Sequence, residues 1–439
     1  RSRTGLLLPP KKGMLSMTVQ SHLRGATKPI AFIPTYFGYE KLIEGTSYLN
    51  ELNGKPKEAE SIWGILSSVR KIEKVFGQVH VNFGEPVFLN QILTEHQAKD
   101  IKLEIDDELP QPVIQTVNQV ANSILENINK AVVINPISLI SLILLNAEHH
   151  ALTEHDLMAK IDQYRHILKM TEYDAKMVMT ELSSTEIIQY AAKLKQVEIF
   201  SQNDQNWVRV AESQKILLSY FSNNILHCFI LPALIAMLVH SYKKISIHYL
   251  TDTLKNIYPY FKEEFFLKWS MHELEKEITV IIGCLEHLGW IVHQDQILSI
   301  PADEHMQNQL VTLAHLSASS LNNMIMIAAL LQQYAPLQAL SLKELENMGK
   351  AVLSKLSQTN KIQAGYYFDS ATLKSFIAIL KQNGLLDTKE NHFVINDAFE
   401  EKMSAIFNWY NPETCQAITE AVHFNEKELK GFKPGHKHS

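Results

Sequence analysis

Residues 25–39 read GATKPIAFIPTYFGY, and the form this run takes decides the architecture of the amino-terminal region. Gly25 predicts a turn, and the apolar β-formers behind it predict a buried strand interrupted at Pro34. Proline lacks the N–H that a sheet ladder needs, so it marks a strand end or edge, often where a strand delivers residues to a site. Further on, GQVHVNFGEPV (77–87) alternates Val79, Val81 and Phe83 on one face and stops at Gly84 and Pro86. Between the two runs, residues 46–76 predict helix, with Ile62, Ile65, Leu66, Val69 and Ile72 at helical spacing. Strand, helices, strand is the grammar of an α/β unit, although few strands are at hand to build a sheet.

After LEIDDELPQPV (103–113) the chain turns mostly helical. Asn135 predicts an N-cap with Pro136 in the first turn of a helix. The uncharged stretch 131–147 around it is short for a bilayer span and reads as a buried core helix. Residues 216–242 contain no Asp, Glu, Lys or Arg and end against Lys243 and Lys244, which raises the question of a membrane span. Asn223, Asn224, His227 and Pro232 sit in its middle and each would need a partner in hydrocarbon, so a buried or interfacial helix is the better reading. Three stretches, 184–210, 276–300 and 371–395, share a plan of amphipathic helix, extended piece, polar turn and second extended piece. This is winged-helix-like grammar, and such units serve packing as readily as they serve DNA. These stretches have no Lys or Arg cluster, which argues against a duplex-binding face.

The chain has 439 residues, 46% of them hydrophobic, enough for two to four folded domains. Cys228, Cys284 and Cys415 form no C-x-x-C pair and suit a reducing cytoplasm rather than a disulfide framework or a zinc site. Net charge is −6, yet residues 1–39 carry Arg1, Arg3, Lys11, Lys12, Arg24 and Lys28 and no acid. That segment is +6 and the remainder −12, so a basic end faces either solvent or an anionic ligand or surface.

RSRTG (1–5), PIAFIPTYFGYE (29–40) and VNFGEPV (81–87) together resemble the second half of the acyltransferase domain of bacterial membrane-associated glycerol-3-phosphate acyltransferases. Arg1, Ser2, Arg3, Thr4 and Gly5 match the last five positions of that family's Glu-Gly-Gly-Arg-Ser-Arg-Thr-Gly block, and Ile33, Pro34, Tyr39 and Glu40 match the next. The resemblance continues through NINKAVVINPISLISLILL (127–145) and YFSNNILHCFILPALI (220–235), departing at Ser222, where the family commonly has Arg.

The resemblance implies transfer of an acyl group from coenzyme A or acyl carrier protein to the sn-1 hydroxyl of glycerol 3-phosphate, with no cofactor, no metal and no nucleic acid. In the family a His in a His-x-x-x-x-Asp motif removes the hydroxyl proton while the Asp orients it. That block is expected upstream of Arg1, together with strands that complete the sheet, so the chain is expected to be a carboxy-terminal fragment with little activity alone. The implied substrate-binding residues are Arg1, Ser2, Arg3, Gly5, Lys28 and Pro34; arginine suits a phosphate because its planar fork binds two oxygens at once. The implied fold is α+β and mostly helical. Residues 1–112 would finish an α/β acyltransferase domain, and 113–439 would form a helical region divisible at 300/301. The implied location is peripheral, on the phospholipid surface at the cytoplasmic face of the inner membrane.

Other candidates weigh less. The one His-x-x-x-x-Asp here, His392 with Asp397, would put the two side chains on opposite faces of a strand. His149, His150, Glu154, His155 and Asp156 cluster in sequence, but Thr153 predicts an N-cap that divides them and defeats metal ligation. The terminal HKHS is a polar tail, Ser2 has no neighbours to activate it, and His227 predicts a core histidine satisfied by Asn or Tyr. The competing reading is a non-catalytic helical adaptor of winged-helix-like units binding protein or nucleic acid.

Overall fold

Pro34 divides the run 25–39 into two strands in a computed structural model that describes residues 5–25, 28–41, 77–104, 108–211, 214–337, 339–358 and 370–432. The helix expected over 46–76 lies outside the described residues. β1 (Ala31–Phe32) pairs antiparallel with β4 (Val87–Phe88), and β2 (Thr35–Tyr39) with β3 (Val79–Phe83). Between the two ladders Ile33 and Pro34 face three residues, Gly84 to Pro86, and the Pro34 carbonyl accepts from Gly84 N at 2.8 Å. The proline therefore sits at a bulge, where its missing donor leaves no gap in the ladder.

The inner face of this ribbon carries Tyr36 and Asn82, whose polar ends reach the carbonyls of Val133, Ala131 and Lys176. The outer face carries Phe37 opposite Val81, Tyr39 opposite Val79, and Phe83, each between 37% and 60% exposed. Around the ribbon, α1 (Gly13–Leu23), α2 (Leu89–Glu95) and α3 (Gln111–Lys130) close a core of Val19, Val87, Leu89, Leu93, Val113 and Val117.

The contacts divide the chain into two units, Arg1–Cys228 with Phe266–Lys268, and Phe229–Phe265 with Trp269–Ser439. Within the first, β5 (Val133–Ile134) leads into α4 (Pro136–Leu145), whose Asn135 side chain accepts from Ser138 N as an N-cap. There follow β6 (Ala151–Thr153), α5 (Glu154–Thr171), β7 (Val178–Met179), α6 (Ser184–Lys193), β8 (Val197–Gln202), β9 (Gln205–Val210) and α7 (Lys215–Ile225). β7 pairs parallel with β5, while β6, β9 and β8 form an antiparallel sheet in that order.

The second unit repeats this plan. α8 (Ile230–Tyr242), β10 (Lys244–Ser246), α9 (Ile247–Phe265), α10 (Leu274–His287), β11 (Val292–Gln294), β12 (Ile297–Ser299) and α11 (Glu304–Ala314) come in the same order, with sheet order β10, β12, β11. A third copy comprises α12 (Ala318–Tyr334), α13 (Leu342–Gln358), α14 (Ser370–Gln382), β13 (Leu386–Lys389), β14 (His392–Ile395) and α15 (Asp397–Phe407). Its first strand is reduced to one bond, from Phe393 N to the Leu340 carbonyl. The chain continues into α16 (Pro412–Ala421) and α17 (Glu426–Phe432). Helix, strand, two helices and a hairpin is winged-helix topology, and in each copy the helix after the wing packs on the first helix. The three expected helix-and-hairpin stretches are thus the second halves of three larger repeats.

Local backbone chemistry explains the likeness. Lys195, Gly289 and Gly384, each just past the third helix, have φ of 59°, 71° and 65°. The residue after each donates back five positions, Gln196 to Ala191, Trp290 to Leu285 and Leu385 to Leu380, completing Schellman caps. Each wing then turns over two left-handed residues, Asn203–Asp204, Asp295–Gln296 and Glu390–Asn391, the geometry that matches strand twist in a two-residue hairpin.

The first helices α4, α8 and α12 are buried almost throughout, which accounts for their apolar sequences. Residues 216–242 do not form one continuous helix: α7 ends at Ile225, a 3₁₀ turn spans Leu226–Cys228, and α8 starts at Ile230. Among the described residues, one helical stretch, Glu304–Tyr334, is long and apolar enough to cross a membrane, with 83% of its apolar window buried inside the protein.

The cap positions make a paired prediction. An ideal Cβ on Gly289 meets only the Met306 sulfur at 4.0 Å, so Gly289→Ala tests backbone handedness alone and should cost about 1 kcal/mol. Lys195→Gly relieves the same strain and should stabilise by about 0.5 kcal/mol. Urea melts of both variants check the opposite signs.

Candidate functional site

Arg1, Ser2 and Arg3 lie outside the described residues. Gly5 is the first residue placed, buried with φ of 90°, and an ideal Cβ on it would stand 2.1 Å from the Tyr220 carbonyl oxygen. Only glycine fits both the dihedral and the approach. Gly5 is therefore seated against α7, at the head of the stretch 220–235. Lys28 is exposed, just ahead of β1. Pro34 is buried at the ribbon bulge. An ideal Cβ on Gly84 would lie 2.5 Å from the Asn127 carbonyl and 3.2 Å from Pro34 Cβ, while Asn127 Nδ2 donates to the Glu85 carbonyl at 2.9 Å. Pro34, the turn 84–86 and the end of α3 thus form one close-packed corner.

Beyond β2, Glu40 is 1% exposed and its carboxylate takes three donors. Tyr190 of α6 gives its hydroxyl at 2.5 Å, Gln78 its backbone N–H at 2.6 Å, and His80 Nε2 lies at 3.1 Å from Oε1. A carboxylate only accepts, so the proton on this edge of His80 sits on Nε2. Burial alone would raise the Glu40 pKa, but the hydrogen bonds from His80, Tyr190 and Gln78, with the His80 charge, hold it below the ordinary 4.5. Burial, then the bond to Glu40, pushes the Tyr190 phenol up, keeping it a donor. Gly77 is required here, because a Cβ would fall 2.5 Å from Glu40 Cβ. The sequence marked Glu40 only as a motif match; His80 and Tyr190 were missed. The available signal was the inward register of His80 opposite Gly38, whereas Tyr190 lies 150 positions away and left none.

His227 is a core histidine, as expected. It is 3% exposed, its Nε2 is 3.2 Å from the Asn129 carbonyl, and its ring meets the Tyr173 ring edge-on at 5.3 Å. Lys268 sits over the same tyrosine ring at 5.0 Å. Nearby in sequence, Asn224 is 1% exposed, and among the described residues neither end of its amide finds a partner.

The weaker candidates do not converge. Thr153 caps α5 by accepting from Asp156 N, Glu154 accepts from Asn206, and His149 is exposed beside Glu148. His392 lies in β14, while Asp397 opens α15. Among the described residues no three His, Cys, Asp or Glu side chains could hold a metal ion. Cys228, Cys284 and Cys415 are not in disulfides, and burial pushes the thiols of Cys284 and Cys415 up to about 11, away from thiolate chemistry.

Residues 48–389 match the model of the family described as glycerol-3-phosphate acyltransferase C-terminal region. The chain is 32% identical over 428 residues to a glycerol-3-phosphate acyltransferase of Haemophilus influenzae (strain PittEE), covering 97% of this chain and 52% of that protein. It is 34% identical over 385 residues to one from Pseudomonas aeruginosa (strain UCBPP-PA14), 87% and 46% respectively, and 30% identical over 423 residues to one from Colwellia psychrerythraea, 95% and 52%. The chain spans about half the length of the curated relatives it matches.

The Glu40 cluster yields a pH-dependent prediction. Glu40→Gln should cost about 2 kcal/mol near neutral pH, and Tyr190→Phe about 1.5 kcal/mol, because each removes hydrogen bonding to a buried charge. The folded pKa of Glu40 is depressed, so its stabilisation is present above the ordinary 4.5 and is lost as pH falls through the folded value. Thermal melts of wild type and Glu40→Gln should differ at about pH 7 and converge once the pH falls below the depressed folded value; a gap that persists in strong acid contradicts the assignment.

Proposed function

The chain belongs to the glycerol-3-phosphate acyltransferase C-terminal-region family, and on that premise we propose that it works as part of an enzyme that acylates the sn-1 hydroxyl of glycerol 3-phosphate from acyl-CoA or acyl carrier protein. In this reading Arg1, Ser2 and Arg3 hold the phosphate with Lys28, Gly5 keys their block into place, and Pro34 shapes the cleft. The observation that carries it is the seat of Gly5, a residue of the same block, on the Tyr220 carbonyl. Phosphate recognition asks for charge and bidentate geometry, which two closely spaced arginines supply.

The proton acceptor is a His-x-x-x-x-Asp pair on polypeptide outside these 439 residues. Two features support this. His392 and Asp397, the one such spacing present, stand on a wing strand and at the head of the next helix. The ribbon's outer face, Phe37, Tyr39, Val79, Val81 and Phe83, is apolar and partly exposed, and two-stranded ribbons are marginal unless further strands or helices cover them. Functionally, residues 1–112 serve as the acyltransferase portion and 113–439 as a helical scaffold.

The first winged-helix copy favours scaffold over nucleic-acid reader. Tyr190 on α6, the helix that would enter a DNA groove, is engaged by Glu40, and α10, its counterpart, shows solvent Glu275 and Glu286. The enzyme acts peripherally at the cytoplasmic face of the inner membrane. Exposed Leu8, Met14 and Met17 beside Lys11, Lys12 and Arg24 suit an anionic lipid surface.

Incubated alone with glycerol 3-phosphate and a long-chain acyl thioester, the chain should show no turnover above background; steady turnover overturns the external base. Binding of glycerol 3-phosphate, followed by titration calorimetry, should weaken at least about tenfold in Arg3→Ala. An unchanged affinity overturns the assignment of the phosphate to this block.

A further inference from the structure

His227 takes no part in the chemistry proposed above, yet its ring stands where the two substrate blocks are joined. The last carbonyls of a helix have no partner inside it. At the end of α3 the Asn127 carbonyl accepts from Ala131 N and the Asn129 carbonyl from Val132 N, each at 3.1 Å. Asn129 takes a second donor, His227 Nε2 at 3.2 Å, so the imidazole caps α3 from the turn that follows α7. A carbonyl only accepts, which places a proton on Nε2. The Tyr173 ring, 1% exposed, meets the imidazole edge-on at 5.3 Å and braces its plane.

The segments touched by His227, 127–134 and 173–179, are joined to each other by the parallel pair β5 and β7, with Val178 N donating to the Val132 carbonyl at 3.0 Å. The ribbon is fastened to the same two segments. Asn82 Nδ2 reaches the Ala131 and Lys176 carbonyls at 3.0 and 2.7 Å, and the Glu85 carbonyl accepts from Asn127 Nδ2 at 2.9 Å. One short strip therefore holds both the ribbon that carries Pro34 and the helix whose Tyr220 carbonyl seats Gly5.

We propose that His227 is a positioning residue for glycerol 3-phosphate binding: by capping α3 it keeps α7, and with it the seat of Gly5, in register with the Pro34 corner. The identity of the ligand rests on the acyltransferase reading; the coupling between His227 and the corner does not.

Amide exchange in the full chain reads that coupling. Gly84 N donates to the Pro34 carbonyl at 2.8 Å, and Gln78 N, at the other end of β3, donates to Glu40 at 2.6 Å. His227→Leu keeps a bulky side chain and removes the donor, so it should speed exchange at Gly84 about fivefold and leave Gln78 unchanged. His227→Gln, whose amide nitrogen reaches the same carbonyl, should restore the wild-type rate. His227→Asn, whose amide stops short of it, should behave as the leucine variant does and replaces that variant if it fails to fold. An unchanged rate at Gly84, equal acceleration at Gly84 and Gln78, or no rescue by glutamine overturns the proposal. Titration calorimetry with glycerol 3-phosphate supplies the second arm: affinity should fall about fivefold in His227→Leu and recover in His227→Gln. Unchanged affinity beside altered exchange overturns the role in ligand binding. A wild-type chain that binds no glycerol 3-phosphate overturns the acyltransferase reading instead, and exchange at Gly84 still decides whether His227 holds the corner.

Discussion

A helix that is apolar on every side has to be enclosed on every side, and α4, α8 and α12 impose that requirement three times. Each is met in the same way: two helices and a small sheet wrap it, and the helix after the wing closes the remaining flank. The wings themselves are too short to be stable alone, so they exist because the hub holds the helices from which they spring. Propensity contributes little to such buried helices; enclosure of their side chains does most of the stabilising.

Against that apolar background the ionic joint at Glu40 is unusual. Burying a carboxylate is costly unless its oxygens are satisfied, and here a phenol, an imidazole and a backbone amide satisfy them. The joint binds the end of β2 to the head of β3 and to the third helix of the first repeat. It makes the ribbon and that repeat one mechanical piece within the first unit.

Features written in neighbouring residues were legible from sequence. Asn135 with Pro136, Thr153 before α5, and the hairpins of the three repeats are all specified within a few positions by caps and turns. The repeats as wholes were not legible, because their first strand is at most three residues long and joins the sheet only through a distant partner, as Thr153 does with Trp207. Likewise 216–242 looked continuous, since nothing local announces that His227 turns back to the Asn129 carbonyl. Of the candidate site, Gly5 and Pro34 fell where close backbone approach and a bulge demand those residues. The Tyr190 partner of Glu40 is set by the fold alone.

Three runs of the same elements in the same order, with matching left-handed cap and turn positions, are what tandem duplication of one ancestral gene segment would leave behind. The copies share these backbone positions with different side chains, Lys195 standing where its two counterparts have glycine. Backbone handedness is thus the feature the three copies hold in common where their side chains differ.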